Sequence, residues 1–525
     1  MRKSATLTTL TTLTALTLLC AASLCGTLAA ATAPVPATPD KLVFGPFTYV
    51  PPSAKAYRSQ LKAGPVAYVA EDRELPLVNI ALTIKGGTYL NPAGKEGLAE
   101  TAGYLLARGG TKGRTAEELE ERLAFLAANL NSGFGDDRGT VTLNLLSKDL
   151  DEGLKILREV LTEPRFQENK LRLRKDQALN DMKSRNDDSA DIEGRERGFL
   201  MTGEGFYTNR YTTKASVEGI TRDDLVAFHK KWFDPRNFTV AISGDVPKAE
   251  ALKKLEALFA GWPIKGEAAP DVPKPSQPMP AGLFFVDKDV NQGRVSVMLP
   301  ALLRTDPDFI PATVMNDILG GGGFTSRITN RVRSDEGLAY SAASSLAGGT
   351  WYPGFLRASF QSKVRTCAFA TQIVLEEMKR IRESEVSEDE LETARKSFTE
   401  TLPRRFATKA QTLGVLVDEE YTGRFKSDPD YYAKYAERVG KVSKEEVQRV
   451  AKRLLATDRA TILAVGKVSE MLDPEPKHPV KFAELAGGKV TTLPLRDPYT
   501  MKPLPKGAPA AAAPAAAPAA APAPK

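Results

Sequence analysis

The sequence predicts an α+β protein of two homologous domains, each a mainly antiparallel sheet with helices packed on one face. Three observations predict it. Strand-like and helix-like runs follow one another in an α+β order rather than in strict alternation. That order occurs twice, with a Pro-dense stretch between the copies. And 525 residues exceed what one core holds, since cores stop growing near ~250–300 residues.

In chain order, Arg2 and Lys3 precede an apolar run from Leu7 to Leu24, and Leu28-Ala29-Ala30-Ala31 follows. A positive, then apolar, then small-residue order is that of a secretory signal peptide, placed at residues 1–31. An uncleaved anchor is the alternative. A lipoprotein is another, through Cys20 or Cys25, although Leu19 and Leu24 stand where a small residue is wanted. Export is expected, to the periplasm of a Gram-negative bacterium. No later segment offers the ~20 apolar residues of a membrane span.

Residues 32–52 form a Pro-rich lead-in. The first domain, 53–262, has strand runs at Val66–Ala70 and Leu77–Ile84, then a Gly/Pro turn into a helix from about Glu96. Helical patterns follow at Ala116–Leu130 and Leu150–Leu161, and a last strand at Phe238–Ser243 precedes Gly244-Asp245. Residues 263–282 (PIKGEAAPDVPKPSQPMPAG) are a linker by composition. The second domain, 283–472, repeats the plan. It has strands at Leu283–Val286 and Gly293–Leu299, and helices at Pro307–Leu319, Ala368–Glu383 and Glu388–Thr399. A final strand, Ala460–Val465, precedes Gly466. An extension, 473–505, and an Ala-Pro tail, 506–525, complete the chain.

Charge and composition exclude some classes. Net charge is +7, with no arginine-rich arm and no basic run carrying aromatics, so nucleic acid is not an expected partner. Past the signal segment only Cys367 remains, which cannot form an internal disulfide and reads as a buried apolar residue. The chain has two histidines, His229 and His478, far apart in sequence; His229 reads as a surface or helix-end residue. A two-histidine zinc site is not expected.

The segment GGTYLNPAGKEGLAETAGYLLARGGT, Gly86 to Thr111, resembles the active-site helix of the pitrilysin/insulinase peptidases. In that family a Gly-rich turn enters a helix bearing H-x-x-E-H, whose two histidines chelate zinc while the Glu acts as base. The resemblance puts the histidine positions at Glu100 and Tyr104, the base at Gly103, and the distal ligand at or beside Asp181. None of the three helix positions carries the residue the chemistry needs. It therefore implies no zinc on this chain, with zinc only in a partner subunit.

Other parts of the resemblance are retained. Asn131–Arg138 (NSGFGDDR) followed by Gly139–Leu146 resembles the family's substrate-side edge strand, which implies that Asn131 and Ser132 lie along a bound peptide. GGGGFTSRITNRVRSDEGLAY, Gly320 to Tyr340, places Arg333 and Tyr340 at the spacing of the family's substrate-holding Arg and Tyr. Gly320, Gly321, Gly322 and Gly323 lack the Lys-Ser/Thr of a P-loop and fit a loop lining a peptide cavity. The resemblance implies a clamshell and a non-catalytic, peptide-binding subunit paired with a zinc-bearing paralogue. The alternatives are a peptide-binding or scaffold protein of the cell envelope without proteolysis, and a stand-alone peptidase using Glu100 and Asp181.

Overall fold

The computed structural model describes residues 49–485 and 490–505, with Thr38 and Leu42; the signal segment, most of the lead-in and the Ala-Pro tail lie outside the described residues. Residues from Pro51 onward form one compact unit built on two six-stranded sheets. The first comprises β1 (Arg58–Gln60), β2 (Val66–Glu71), β3 (Leu77–Lys85), β4 (Asn129–Phe134), β5 (Arg138–Leu146) and β6 (Phe238–Gly244), in the order β1-β2-β6-β3-β5-β4. The second comprises β7 (Gly282–Asp287), β8 (Gln292–Pro300), β9 (Ala339–Ala347), β10 (Phe355–Lys363), β11 (Thr461–Gly466) and β12 (Val490–Leu493), in the order β12-β7-β11-β8-β10-β9.

Five strands of each sheet correspond in order and direction. The pairs β2–β6 and β7–β11 are parallel, and the three pairings beyond each are antiparallel. Only the outermost strand differs. β1 is a hairpin partner of β2, whereas β12 comes from the C-terminal extension and runs parallel to β7.

The helices that position the site are α1 (Leu98–Leu106), α2 (Ala116–Phe125), α3 (Leu150–Thr162), α4 (Glu168–Lys183), α5 (Ser189–Thr202) and α6 (Arg222–Trp232) in the first half. In the second half they are α7 (Phe309–Asn316), α8 (Cys367–Glu383), α9 (Glu388–Thr399), α10 (Lys409–Tyr421) and α11 (Lys444–Leu454). Several start where the sequence says. Thr115/Glu118, Thr221/Asp224, Ser387/Glu390, Thr408/Gln411 and Ser443/Glu446 form reciprocal capping boxes.

α2 ends earlier than the pattern to Leu130 suggested. Ala127 takes a left-handed φ of +47°, and the backbone N–H of Ala128 donates to Leu123. That stop is normally signalled by glycine, and alanine here conceals it. Leu130 lies in β4 instead. The Pro307–Leu319 pattern likewise divides, into α7 and a wider helical turn over Asp317–Gly321.

Each sheet packs its own half's helices on one face, and receives a helix from the other half on the opposite face. In β2, Ala67 and Val69 face the first half's own core, while Tyr68 and Ala70 face Leu413, Leu416 and Val417 of α10. In the second sheet Phe284, Val286, Met298, Leu463 and Val465 pack on Ile192 of α5. Glu193, buried beside Ile192, accepts from Ser296 Oγ (2.7 Å), Arg197 Nε (3.0 Å) and Arg357 Nη2 (3.2 Å). This double burial is why β2 and β11 read as continuous apolar runs rather than alternating ones.

The Pro-dense stretch 263–281 has no regular structure, yet it is pinned. Asn237 donates to Glu267 O (2.8 Å) and accepts from Ala269 N (2.8 Å), and Tyr89 Oη donates to Pro270 O (3.0 Å). The extension after 472 is equally integral. Besides β12, it buries Phe482 edge-on to Phe285 (5.3 Å) and ties Arg496 to Glu196 (3.2 Å) and Glu204 (2.7 Å).

Candidate functional site

α1 lies directly on β4. A Cβ at Gly103 would sit 2.6 Å from the Phe134 backbone nitrogen and 2.8 Å from the Gly133 carbonyl carbon. Only glycine permits that approach. Ser132 holds the contact. Its hydroxyl donates to Gly103 O (2.5 Å) and accepts from Ala107 N (3.0 Å), standing between two groups that would otherwise bond each other along the helix. Ser132 thus spends its side chain on α1, whereas Asn131 is exposed and accepts from Arg108 (3.2 Å).

The remaining motif positions are also engaged. Burial pushes the Glu100 carboxyl above its ordinary range, although Asn91 donates to it (3.2 Å). Tyr104 lies beneath two guanidinium groups, with Arg108 and Arg174 each 4.7 Å from its ring centre. Asp181 is exposed on α4. Among the described residues no three His, Cys, Asp or Glu side chains are grouped to hold a metal ion. A carboxyl held toward its neutral form, a glycine, and a tyrosine under two cations are not a zinc donor set. The residues present do not fit zinc.

Both histidines are engaged by other parts of the chain. His229 is buried rather than at the surface, only 4% exposed, against Phe233 (4.4 Å between ring centres), with Nε2 2.9 Å from the Leu161 carbonyl. His478 stacks on Phe369 (4.1 Å). Burial drops the His229 pKa from 6.5 to about 4. Between those values the unfolded chain binds more protons than the folded one, so stability falls as pH drops from 6.5 toward 4. His229→Gln is expected to shrink that part of the pH slope in urea-unfolding midpoints relative to wild type, because no imidazole then charges on unfolding. Cys367 is buried, and burial pushes its thiol up to about 12, which leaves no thiolate for nucleophilic work.

The second half assembles what its sequence placed together. Arg333 lies in the wide helical turn Asn330–Asp335, and Tyr340 is the second residue of the edge strand β9. The Arg333 guanidinium carbon sits 4.6 Å from the Tyr340 ring centre and 4.5 Å from that of Phe324. Arg333 makes no ion pair or hydrogen bond with any described residue, and Tyr340 and Phe324 are 84% and 65% exposed. Phe324 is the member that sequence reasoning missed, and its signal was an aromatic directly after four glycines.

The glycines serve close approach. A Cβ at Gly320 would lie 2.5 Å from Ser344 N of β9, one at Gly321 would lie 2.7 Å from the Asn316 amide nitrogen, and one at Gly322 would lie 2.9 Å from Asp317 O. Gly323 turns the chain with a φ of +64°.

The segment Asn131–Arg138 divides between two strands. β4 is the free edge of its sheet, and β5 lies inside, between β3 and β4. The loop between them is locked to the second half. Asp137 accepts from Trp351 Nε1 (2.7 Å), its carbonyl accepts from Tyr421 Oη (2.6 Å), and Arg138 pairs with Asp418 (2.9 Å). No helix among the described residues is long and apolar enough to cross a membrane.

The insulinase (peptidase family M16) model matches residues 67–194, and the peptidase M16 inactive domain matches residues 219–398. The chain is 27% identical over 390 residues to the non-peptidase homolog YmxG of Helicobacter pylori, spanning 73% of this chain and 88% of that protein. Its fold is similar to that of a peptidase M16 inactive domain from Pseudomonas fluorescens, with TM-score 0.69 and 21% identity over 78% of this chain and 97% of that one. It is also similar to the periplasmic protease PqqL of Escherichia coli, with TM-score 0.65 and 14% identity over 86% of this chain and 50% of that one. With family models of the insulinase type matching in both halves, this chain belongs to the insulinase family, peptidase family M16.

Proposed function

We propose that the chain is an exported, non-catalytic subunit that holds peptides for a zinc-bearing paralogous partner, supplying Arg333 and Tyr340 to the shared substrate. The observation that carries this reading is Arg333, held on two aromatic rings with its donors unengaged, while the metal-motif helix carries Gly103 and a Tyr104 covered by Arg108 and Arg174. An arginine held only by ring faces keeps its planar fork for a peptide carbonyl or carboxylate. The free edge of β4 offers main-chain pairing to the same peptide. Export rests on the charged, apolar, small-residue order of the first 31 residues.

The test reconstitutes the pair. The purified chain is expected to bind an unstructured peptide in fluorescence anisotropy, to hold no stoichiometric zinc, and to cleave nothing. Adding the host's H-x-x-E-H-bearing paralogue is expected to produce chelator-sensitive cleavage. Tight stoichiometric zinc on this chain alone would overturn the reading. Peptide binding with no cleavage beside any such paralogue would instead mark an envelope scaffold.

A further inference from the structure

Beside Tyr104 lies a cleft of about 530 Å³, bounded by α1, α2, α4 and the first residues of β4. Its charged lining is Arg108, Arg174, Lys170 and Glu120. Lys170 is already paired with Glu117 (3.1 Å), and Glu120 is exposed. Arg108 reaches only a neutral amide oxygen, that of Asn131, and Arg174 has neither an ion pair nor a hydrogen bond among the described residues. The Nε of Arg174 is buried without a partner. A buried guanidinium donor left unsatisfied is costly, so such a group is normally matched by an acceptor. Here both guanidinium groups are steadied on one tyrosine ring, and among the described residues no carboxylate forms an ion pair or hydrogen bond with either, although the largely buried Glu100 lies close enough to feel the charge of Arg174.

Strand direction says what could meet them. β4 runs from Asn129 to Phe134, and its one partner, β5, is antiparallel to it. A peptide added to the free edge of β4 in the same antiparallel sense runs from Phe134 toward Asn129. Its C-terminal end then arrives at Asn129–Asn131, the residues of β4 that line the cleft.

We infer that this cleft is a carboxylate-binding subsite, in which Arg174 and Arg108 take the carboxylate of a peptide laid antiparallel along β4, either its C-terminal carboxylate or that of an Asp or Glu near its end. The inference rests on the peptide-holding reading above and adds the chemistry of the peptide end. In place of a metal, the cleft presents two guanidinium groups, Arg108 just past the end of α1 and Arg174 from α4, which suit a planar carboxylate through paired N–H donors.

The experiment uses the full mature chain and three forms of one peptide: the free acid, its C-terminal amide, and an amide ending in Glu. The free acid is expected to bind at least about tenfold more tightly than the plain amide, as loss of a charge-assisted contact implies. Recovery of that gain by the Glu-ended amide assigns the site to side-chain carboxylates as well, and no recovery restricts it to the C-terminus. Arg174→Ala and, separately, Arg108→Gln are expected to bring the acid-to-amide ratio toward one. A ratio is unmoved by partial misfolding of a variant, which lowers both arms alike. Equal binding of all three peptides to the wild-type chain overturns the carboxylate subsite and leaves peptide holding intact. No binding of any of them overturns peptide holding itself.

Discussion

Arg333→Ala is expected to lower cleavage by the reconstituted pair by roughly 10–100-fold, the equivalent of losing a charge-assisted hydrogen bond or a bidentate pair. The side chain carries no structural duty that would spread the effect. It touches Phe324 and Tyr340 and forms no ion pair among the described residues. Tyr340→Phe separates two contributions of its neighbour. The ring stays under the guanidinium, so Arg333 keeps its place, and only the hydroxyl is lost, for about a 2–10-fold decrease typical of a neutral hydrogen bond. Phe324→Ala removes one of the two rings that fix Arg333 while leaving its charge, so a partial loss, smaller than that of Arg333→Ala, is expected. Because both rings are largely exposed, all three variants should melt with the wild type. Unchanged cleavage in Arg333→Ala with intact pairing would remove this residue from the substrate's wall.

Much of the fold was legible because its signals are local. The strand run Leu77–Ile84 is β3, the helical patterns from Leu150, Ala368 and Glu388 are helices, and the repeated order is two halves. The alternation of β5 and the capping boxes at the starts of α2, α6, α9, α10 and α11 are local signals of the same kind. What stayed hidden was long-range. Nothing near α10 says that Leu413 and Val417 cover Tyr68 and Ala70, more than 300 residues earlier, or that Val490–Leu493 pairs with β7. The end of α2 was hidden for a different reason, an alanine in the conformation glycine usually marks.

The site divides the same way. The missing ligands at Glu100, Gly103 and Tyr104 could be read from one helix, and the Arg333–Tyr340 spacing from one turn and strand. Arg108, one helical turn past Tyr104, was within reach of the same spacing logic. Arg174 was not, since its place over Tyr104 depends on how α4 packs against α1. Ser132 illustrates the limit of a motif. It is expected along the peptide and stands on the edge strand β4, while its hydroxyl bridges Gly103 and Ala107, a duty that no local pattern signals.

Putting the motif back is expected to fail. The variant Glu100→His, Gly103→Glu, Tyr104→His carries the H-x-x-E-H residues on the same helix, yet it should unfold at least about 3 kcal/mol more easily and hold no tight stoichiometric zinc. The first obstacle is space. In an exposed helix Gly→Ala stabilises by about 1 kcal/mol, but at Gly103 the added carbon meets the backbone of β4 at 2.6 and 2.8 Å, so Gly103→Ala alone should reverse that sign. A glutamate adds a carboxylate to a contact that has no room for its first carbon, and relieving it means moving α1 off β4 and breaking the Ser132 bridge. The second obstacle is charge. Arg108 and Arg174 lie 4.7 Å from the Tyr104 ring, where an imidazole would have to receive a dication. The two can be told apart by urea unfolding and metal content. If space dominates, Gly103→Ala carries most of the destabilisation by itself. If charge dominates metal binding, adding Arg108→Gln and Arg174→Gln to the triple variant raises zinc affinity without restoring stability. A triple variant as stable as wild type and loaded with zinc would mean that α1 retains the metal geometry, and that the packing of Gly103 on β4 is incidental to the loss of the site.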